Sequence, residues 1–242
     1  MKTLKYLNIA LAVLAVSFVS CEKQGADPGT EAPVLVQLDP HPADITITYV
    51  DDVDFIVKVN DINGGKVSTQ VDVEVQNNEG YTAGLTSVSV SNGEGILSTD
   101  GSELKQVAKA SEKLDLTVAS LHVLANVDGI TMRWPFDMNV VSSISEMDAP
   151  TQAAAGSTIE FNYGGNTYMN AISEMELLSK TNFSGDYMSL VTHQNIHALA
   201  YNDSIEVNMP AAGDTLYLRI NLTADNTLSD SREIFVKAIE GE

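Results

Sequence analysis

The chain is poor in several things, and each shortage closes off a class of protein. Cys21 is the only cysteine in 242 residues. No disulfide can form within the chain and no C-x-x-C motif can exist, so the fold must be held by packing and hydrogen bonds. Basic residues are scarce: 13 Lys and Arg stand against 33 Asp and Glu, for a formal net charge of −20. A surface of that sign repels phosphate, which excludes nucleic acid as a partner and excludes a domain held to anionic lipid by charge. The acidity itself reads as a source of solubility and self-repulsion. Aromatics make up 6% of the chain, with one Trp. The longest apolar run, residues 7–19, is broken only by Asn8 and Ser17 and is too short to span a bilayer. The G-x-S-x-G elbow, the Walker A loop and the G-x-G-x-x-G loop are all missing. Carboxylates are too abundant to single out a glycosidase pair, and the chain reads as non-catalytic.

What is present is alternation. Val67, Thr69, Val71, Val73 and Val75 fall on one face of a strand, with Ser68, Gln70, Asp72, Glu74 and Gln76 on the other. That pattern predicts a half-buried antiparallel strand. The same period runs through Ile45-Ile47-Tyr49, Phe55-Val57-Val59, Val88-Val90 and Leu114-Leu116-Val118. It returns at Ile159-Phe161-Tyr163, Ile205-Val207-Met209, Leu216 to Leu222 and Ile234-Val236-Ala238. Turn signals separate the runs at Asn63-Gly64-Gly65, Asn92-Gly93, Asp128-Gly129, Gly164-Gly165 and Gly213-Asp214. Short strands at this spacing predict an all-β chain of antiparallel sandwiches. Helix signals reduce to a capping box, Asp100 and Glu103 ahead of Leu104, Val107 and Ala108. Residues 172–180 read as strand. A polar stretch with Pro150 marks a boundary, so we expect one sandwich over 34–142, a linker over 143–150 and a second sandwich over 151–242. No internal repeat is strong enough to indicate duplication.

The N-terminus is an address. Lys2 and Lys5 precede the apolar run, which ends at Phe18-Val19-Ser20-Cys21. This segment resembles a bacterial lipoprotein signal, and the resemblance implies a signal peptide over 1–20 with Cys21 as the acylated first residue of the mature chain. Several acyl chains, at about 0.8 kcal/mol per buried CH₂, would anchor it to a membrane. Loss of Lys2 and Lys5 leaves 11 bases against 33 acids, a mature charge of −22. Residues 22–33, EKQGADPGTEAP, read as a flexible tether. Acidic and polar residues directly after the cysteine resemble the surface-export signal of Bacteroidota lipoproteins. That likeness implies an outer-membrane, surface-exposed protein. Ala155-Gly156-Ser157 before Ile159-Glu160-Phe161, the strand Leu216 to Asn221, and Thr223-Ala224-Asp225-Asn226 before the last strand resemble the bacterial immunoglobulin-like family. The resemblance implies two immunoglobulin-like β-sandwiches in tandem and no particular ligand. Asp203-Ser204-Ile205 and Asp214-Thr215-Leu216 are similar to the O-glycosylation sequon of Bacteroidota exported proteins.

Candidate sites follow from residue type. Trp134 is in phase with Ile130, Met132, Phe136 and Met138, which makes it a core residue first and a sugar-stacking platform second; Pro135 beside it implies a sheet edge or a bulge. Tyr168, Tyr187 and Tyr201, with Tyr81, lie in polar or turn-like surroundings and are further candidate sugar contacts. Asp51, Asp52 and Asp54 cluster near Asp61 and Asn63 in sequence, an oxygen-rich set that would suit Ca²⁺, although Asp and Asn as turn formers is the simpler reading. Asp225, Asn226, Asp230 and Glu233 flank the last strand as a second oxygen-rich set. Asn60-Asp61-Ile62-Asn63 and Asp230-Ser231-Arg232-Glu233 are faintly similar to cadherin calcium motifs. His193 and His197 would share one strand face with Asn195, a possible chelate with no evident third ligand. The expected role is a binding or adhesion module with a polysaccharide or surface protein as partner; the competing role is a surface spacer or pilin-like subunit. If the address is correct, Cys21→Ser abolishes incorporation of labelled palmitate and shifts the protein out of the membrane fraction. A Cys21→Ser chain that stays acylated contradicts it.

Overall fold

The computed structural model describes residues 34–77, 82–100, 117–127 and 130–241. The expected capping box beyond Asp100, the Asp128-Gly129 turn, Leu114, Leu116 and Tyr81 lie outside these residues.

Sixteen strands account for most of the described chain. The first eight are β1 (Val34–Asp39), β2 (Thr46–Thr48), β3 (Asp52–Asp61), β4 (Thr69–Asn77), β5 (Thr82–Val90), β6 (Glu94–Asp100), β7 (Thr117–Val127) and β8 (Ile130–Val141). They form a three-stranded sheet, β1-β3-β6, packed on a five-stranded sheet, β2-β8-β7-β4-β5. The next eight are β9 (Ile144–Asp148), β10 (Gln152–Ala154), β11 (Thr158–Asn166), β12 (Ile172–Thr181), β13 (Met188–Ala198), β14 (Ala200–Asn208), β15 (Thr215–Ala224) and β16 (Ser229–Ile239). They form β9-β11-β14 packed on β10-β16-β15-β12-β13. Strand for strand the second order is the first with eight added. In each unit a short second strand runs parallel to the last, β2 on β8 and β10 on β16. All the remaining pairs are antiparallel. These are two immunoglobulin-like sandwiches in tandem, and they repeat one topology.

Alternation builds each core. Val53, Phe55, Val57 and Val59 of β3 point inward against Val71, Val73 and Val75 of β4 and Val123 and Ala125 of β7. Trp134 belongs to this cluster and is 6% exposed. Pro135 beside it pairs with His122 on one side only, because β2 covers β8 no further than Asn139. An unpaired edge is where a strand tolerates a residue with no N–H. The second core gathers Ile159, Phe161 and Tyr163 of β11 against Met175 and Leu177 of β12 and Leu218, Ile220 and Leu222 of β15.

Two expectations need correction. Residues 143–150 are not a linker: Ile144–Asp148 pair with Asn162 to Gly165 as an edge strand of the second sandwich, so the units abut at Ser142 and Ser143. Gly164-Gly165 is not a turn. Both lie inside β11 at a register shift, and a Cβ on Gly165 would stand 2.9 Å from Met175 Cε. The pair serves a bulge and a close approach between sheets, which glycine permits as readily as a turn.

The units are joined by a buried carboxylate. Asp51 is fully buried. Its Oδ2 accepts from the Thr48 N–H at 2.9 Å, the Thr48 hydroxyl at 2.7 Å and the Tyr168 N–H at 3.2 Å. Its Oδ1 accepts from the N–H groups of Met169 and Asn170 at 2.9 and 3.0 Å. Three of these five donors belong to the second sandwich. Val50, fully buried, packs in the second unit's core, and its carbonyl accepts from the Asn226 side chain at 2.9 Å. In return Asp230, 3% exposed, accepts from the Ser142 hydroxyl and the Ser143 N–H. Burial pushes the Tyr49 phenol up to about 12, with the Asp230 carboxylate adding to the shift across the joint. Breaking a buried, hydrogen-bonded charge strands its partners without solvent. Asp51→Ala is therefore expected to destabilise the chain by about 3 kcal/mol in urea unfolding, with Asp51→Asn in between. A change below about 0.5 kcal/mol for Asp51→Ala contradicts the clamp.

Candidate functional site

The outward face of the second sandwich's five-stranded sheet carries a cluster that no linear motif announces. On β15 the inward residues Leu216, Leu218, Ile220 and Leu222 leave Tyr217 and Arg219 facing out. Register then sets Tyr217 between Phe235 of β16 and Lys180 of β12, and Arg219 beside Glu233. The turn from β12 to β13 adds Phe183 and Tyr187. Phe183 is 80% exposed and Phe235 is 55% exposed. Ring centroids are 6.4 Å apart for Phe183 and Tyr217 and 6.1 Å for Tyr217 and Phe235, a short row of rings on the sheet.

Cations are interleaved with the rings. Lys180 Nζ lies 4.5 Å from the Tyr187 centroid and 5.1 Å from those of Phe183 and Tyr217. It also donates to the Phe183 carbonyl at 3.2 Å. The Arg219 guanidinium lies 4.1 Å from the Tyr187 centroid and donates to Glu233 at 3.2 Å. Cation–π attraction of this kind contributes about 0.5–1 kcal/mol at an exposed site, enough to hold the heads over the rings. The turn itself is stiffened by Asn182, in the left-handed region at φ 61°, whose side chain bonds Asp214 at 2.8 Å and the Thr215 N–H at 3.0 Å.

The cluster sits at one end of the molecule. Val34 pairs with Asp61, at the end of β3 away from Asp51 and the joint. In the second sandwich the joint is made by residues 168–170 and 226, next to the start of β12 at Ile172; the turn with Phe183 and Tyr187 follows its other end at Thr181. The ring cluster and Val34 are therefore at opposite ends of the tandem.

The residues singled out from sequence scatter. Asp51 is saturated at the joint, and Asp52 and Asp54 face solvent on β3, where Asp54 accepts from Ser98 at 2.6 Å. Asp61 and Asn63 lie at the other end of that ten-residue strand, in a turn where Asp61 Oδ1 accepts the N–H groups of Asn63 and Gly65 at 2.8 Å. The five oxygen donors are not brought together, and Asp61 acts as the turn former. Among the described residues no group of three or more His, Cys, Asp or Glu is placed to hold a metal ion. Of the second oxygen-rich set, Asn226 and Asp230 serve the joint, Asp225 faces His197 and Glu233 faces Arg219.

Trp134 is buried, so it offers no platform. Tyr168 is half-exposed at the rim of the joint, beside a groove lined by Val141, Ser142, Asn166 and Arg232. Tyr201 lies in a separate network with Tyr163, His193 and Asp203. There the Tyr163 hydroxyl meets His193 Nε2 at 2.9 Å, and His193 meets Asp203 at 3.1 Å. Burial and then the Asp203 carboxylate push both phenols up from their ordinary value. His197 does not share this site. Left-handed residues Asn195 and His197 shift the register of β13, and His197 faces Asp225 at 3.3 Å instead. Of the sequence candidates only Tyr187 belongs to the ring cluster. The missed residues did leave a signal: Tyr217 and Phe235 are large rings on the outward phase of strands that, Ile239 at the end of β16 apart, are polar on that side.

No protein-family model matches the chain, and no curated protein matches it. Among solved structures the chain is similar to red sea bream transglutaminase, at 10% identity and a TM-score of 0.36 over 86% of this chain and 32% of that one. It is also similar to native Escherichia coli α2-macroglobulin, at 12% identity and a TM-score of 0.35 over 86% of this chain and 16% of that one. A Salmonella α2-macroglobulin mutant matches at 14% identity and a TM-score of 0.32, over 89% and 15%. The chain thus spans about a third of the first and about a sixth of the others. The strand order alone carries the fold assignment.

Exposure separates the two kinds of aromatic residue. Trp134→Ala is expected to cost about 3–5 kcal/mol in chemical denaturation, while Phe183→Ala and Phe235→Ala each stay within about 0.5 kcal/mol. A large cost for either phenylalanine would mark the row as packing.

Proposed function

We propose that this is a non-catalytic protein of the bacterial cell envelope, anchored by lipid on Cys21 in the outer membrane and facing the cell surface. Its role is capture of a ligand, foremost a polysaccharide, by the outward face of the second sandwich. The observation that carries this reading is the row Phe183-Tyr217-Phe235, two exposed phenylalanines flanking a half-buried tyrosine, at the end of the tandem opposite Val34. An exposed aromatic surface costs solubility unless something covers it, and planar rings suit the C–H faces of sugars. The proposed tether, residues 22–33, leads into Val34, so a lipid on Cys21 would leave the row facing away from the membrane. The surface-spacer reading draws on a different observation, the Asp51 clamp, which makes the tandem a stiff unit whatever its tip does.

The test is isothermal titration of the mature chain carrying Cys21→Ser against a panel of neutral and acidic soluble polysaccharides. At least one is expected to bind saturably, with binding weakened about tenfold or more in Phe183→Ala/Phe235→Ala, the loss of two ring contacts worth about 1 kcal/mol each. Absence of binding across the panel contradicts capture and favours the spacer.

A further inference from the structure

We infer that the ligand of this face is an acidic polysaccharide, a chain of sugars bearing carboxylates; the inference rests on the capture reading above and narrows it. The argument is where the bases went. The second sandwich, with the joint, has four basic side chains, Lys180, Arg219, Arg232 and Lys237, among many carboxylates. Arg232 lies in the groove at the joint. The other three face outward on β12, β15 and β16 around the ring row: Lys180 and Arg219 against the rings themselves, Lys237 opposite Thr215, one outward position past Phe235. In a chain of net charge −20, three of the four cations of this half stand around the rings, where Glu233 takes Arg219, while the outward Glu174 and Glu176 of β12 are engaged by Gln194 and Asn221 further along the sheet.

A platform for neutral sugars needs rings and hydrogen-bonding groups; cations add nothing to stacking and cost desolvation when covered. A uronate-type sugar uses both parts. Its ring stacks on Phe183, Tyr217 or Phe235, and its carboxylate projects from the ring edge toward an ammonium or guanidinium. Lys180 is already held in place by three rings and the Phe183 carbonyl, so little side-chain freedom is lost on binding. Arg219 donates to Glu233 at 3.2 Å and, with five N–H donors, keeps capacity for a second carboxylate. The remaining acidic surface of the protein then disfavours non-productive contact of a polyanion anywhere else, a specificity device by repulsion.

The experiment uses the mature Cys21→Ser chain with four named probes, polygalacturonate and alginate as polyuronates, dextran and pullulan as neutral polymers. At least one polyuronate is expected to bind saturably. That binding should weaken about tenfold or more between 50 and 500 mM NaCl, as screening removes the attraction. It should fall comparably in Lys180→Gln/Lys237→Gln and in Phe183→Ala/Phe235→Ala, with each double variant retaining the wild-type circular dichroism and melting midpoint. Binding of a neutral polymer alone, lost in the phenylalanine variant but not in the lysine variant, overturns the acidic-ligand inference and leaves capture standing. No binding of any of the four, with concentration-dependent self-association abolished by Phe183→Ala/Phe235→Ala, overturns both and makes the face a contact between copies.

Discussion

The arrangement of this molecule depends on one buried carboxylate. Asp51 has no base beside it among its bonding partners; five donors, four backbone or side-chain groups of the joint at 3.0 Å or less and one at 3.2 Å, take the place of solvent. Three of those donors are successive N–H groups, Tyr168, Met169 and Asn170, in the connection between β11 and β12. Their convergence fixes that loop, and with it the end of the second sandwich, against the first. A swing of the domains would pull this carboxylate from three of its five donors and leave an ion and several amides stranded together. Val50 beside it is a residue of the first unit packed into the second unit's core, which couples the hydrophobic and polar halves of the joint.

From that constraint the functional geometry follows. A tethered pair of sandwiches on a loose hinge would present its faces in all directions. Locked at the joint, the pair keeps Val34 at one end and the turn carrying Phe183 and Tyr187 at the other. The aromatic and cationic side chains are themselves preorganised: Asn182 holds the turn, and the rings hold Lys180 and Arg219. Both levels reduce the entropy that a ligand would have to remove on binding.

Much of the fold was legible because burial on a sheet has period two. Of the run Val67 to Gln76, the part from Thr69 onward is β4, and the inward sets of β3, β11 and β15 fell where their alternation put them. What was illegible is what depends on pairing. Residues 144–148 carry no strong alternation, and only their register on β11 makes them a strand. Glycine is a turn signal and a close-packing signal at once, and Gly164-Gly165 is the second. The repeated strand order left no sequence repeat, because topology is kept by which positions are apolar, not by which residues fill them.

The site was illegible for the same reason. Lys180, Phe183, Tyr187, Tyr217, Arg219 and Phe235 come from three strands and a turn spread over more than fifty positions, and register alone makes them neighbours. Asp51 looked like one of three aspartates in an oxygen-rich cluster; its burial and its donors from another domain have no local mark. The claim on which all of this rests is that the joint is rigid. Cys21 is the only cysteine in the sequence, so in a Cys21→Ser background nitroxide pairs can be placed at will. The most direct measurement is the electron–electron dipolar distance between labels on Ile96→Cys in the first sandwich and Met188→Cys in the second, both at exposed positions. One narrow distance distribution in the wild-type background, broadened by Asp51→Ala, is the predicted result. A broad distribution that Asp51→Ala leaves unchanged would contradict the account.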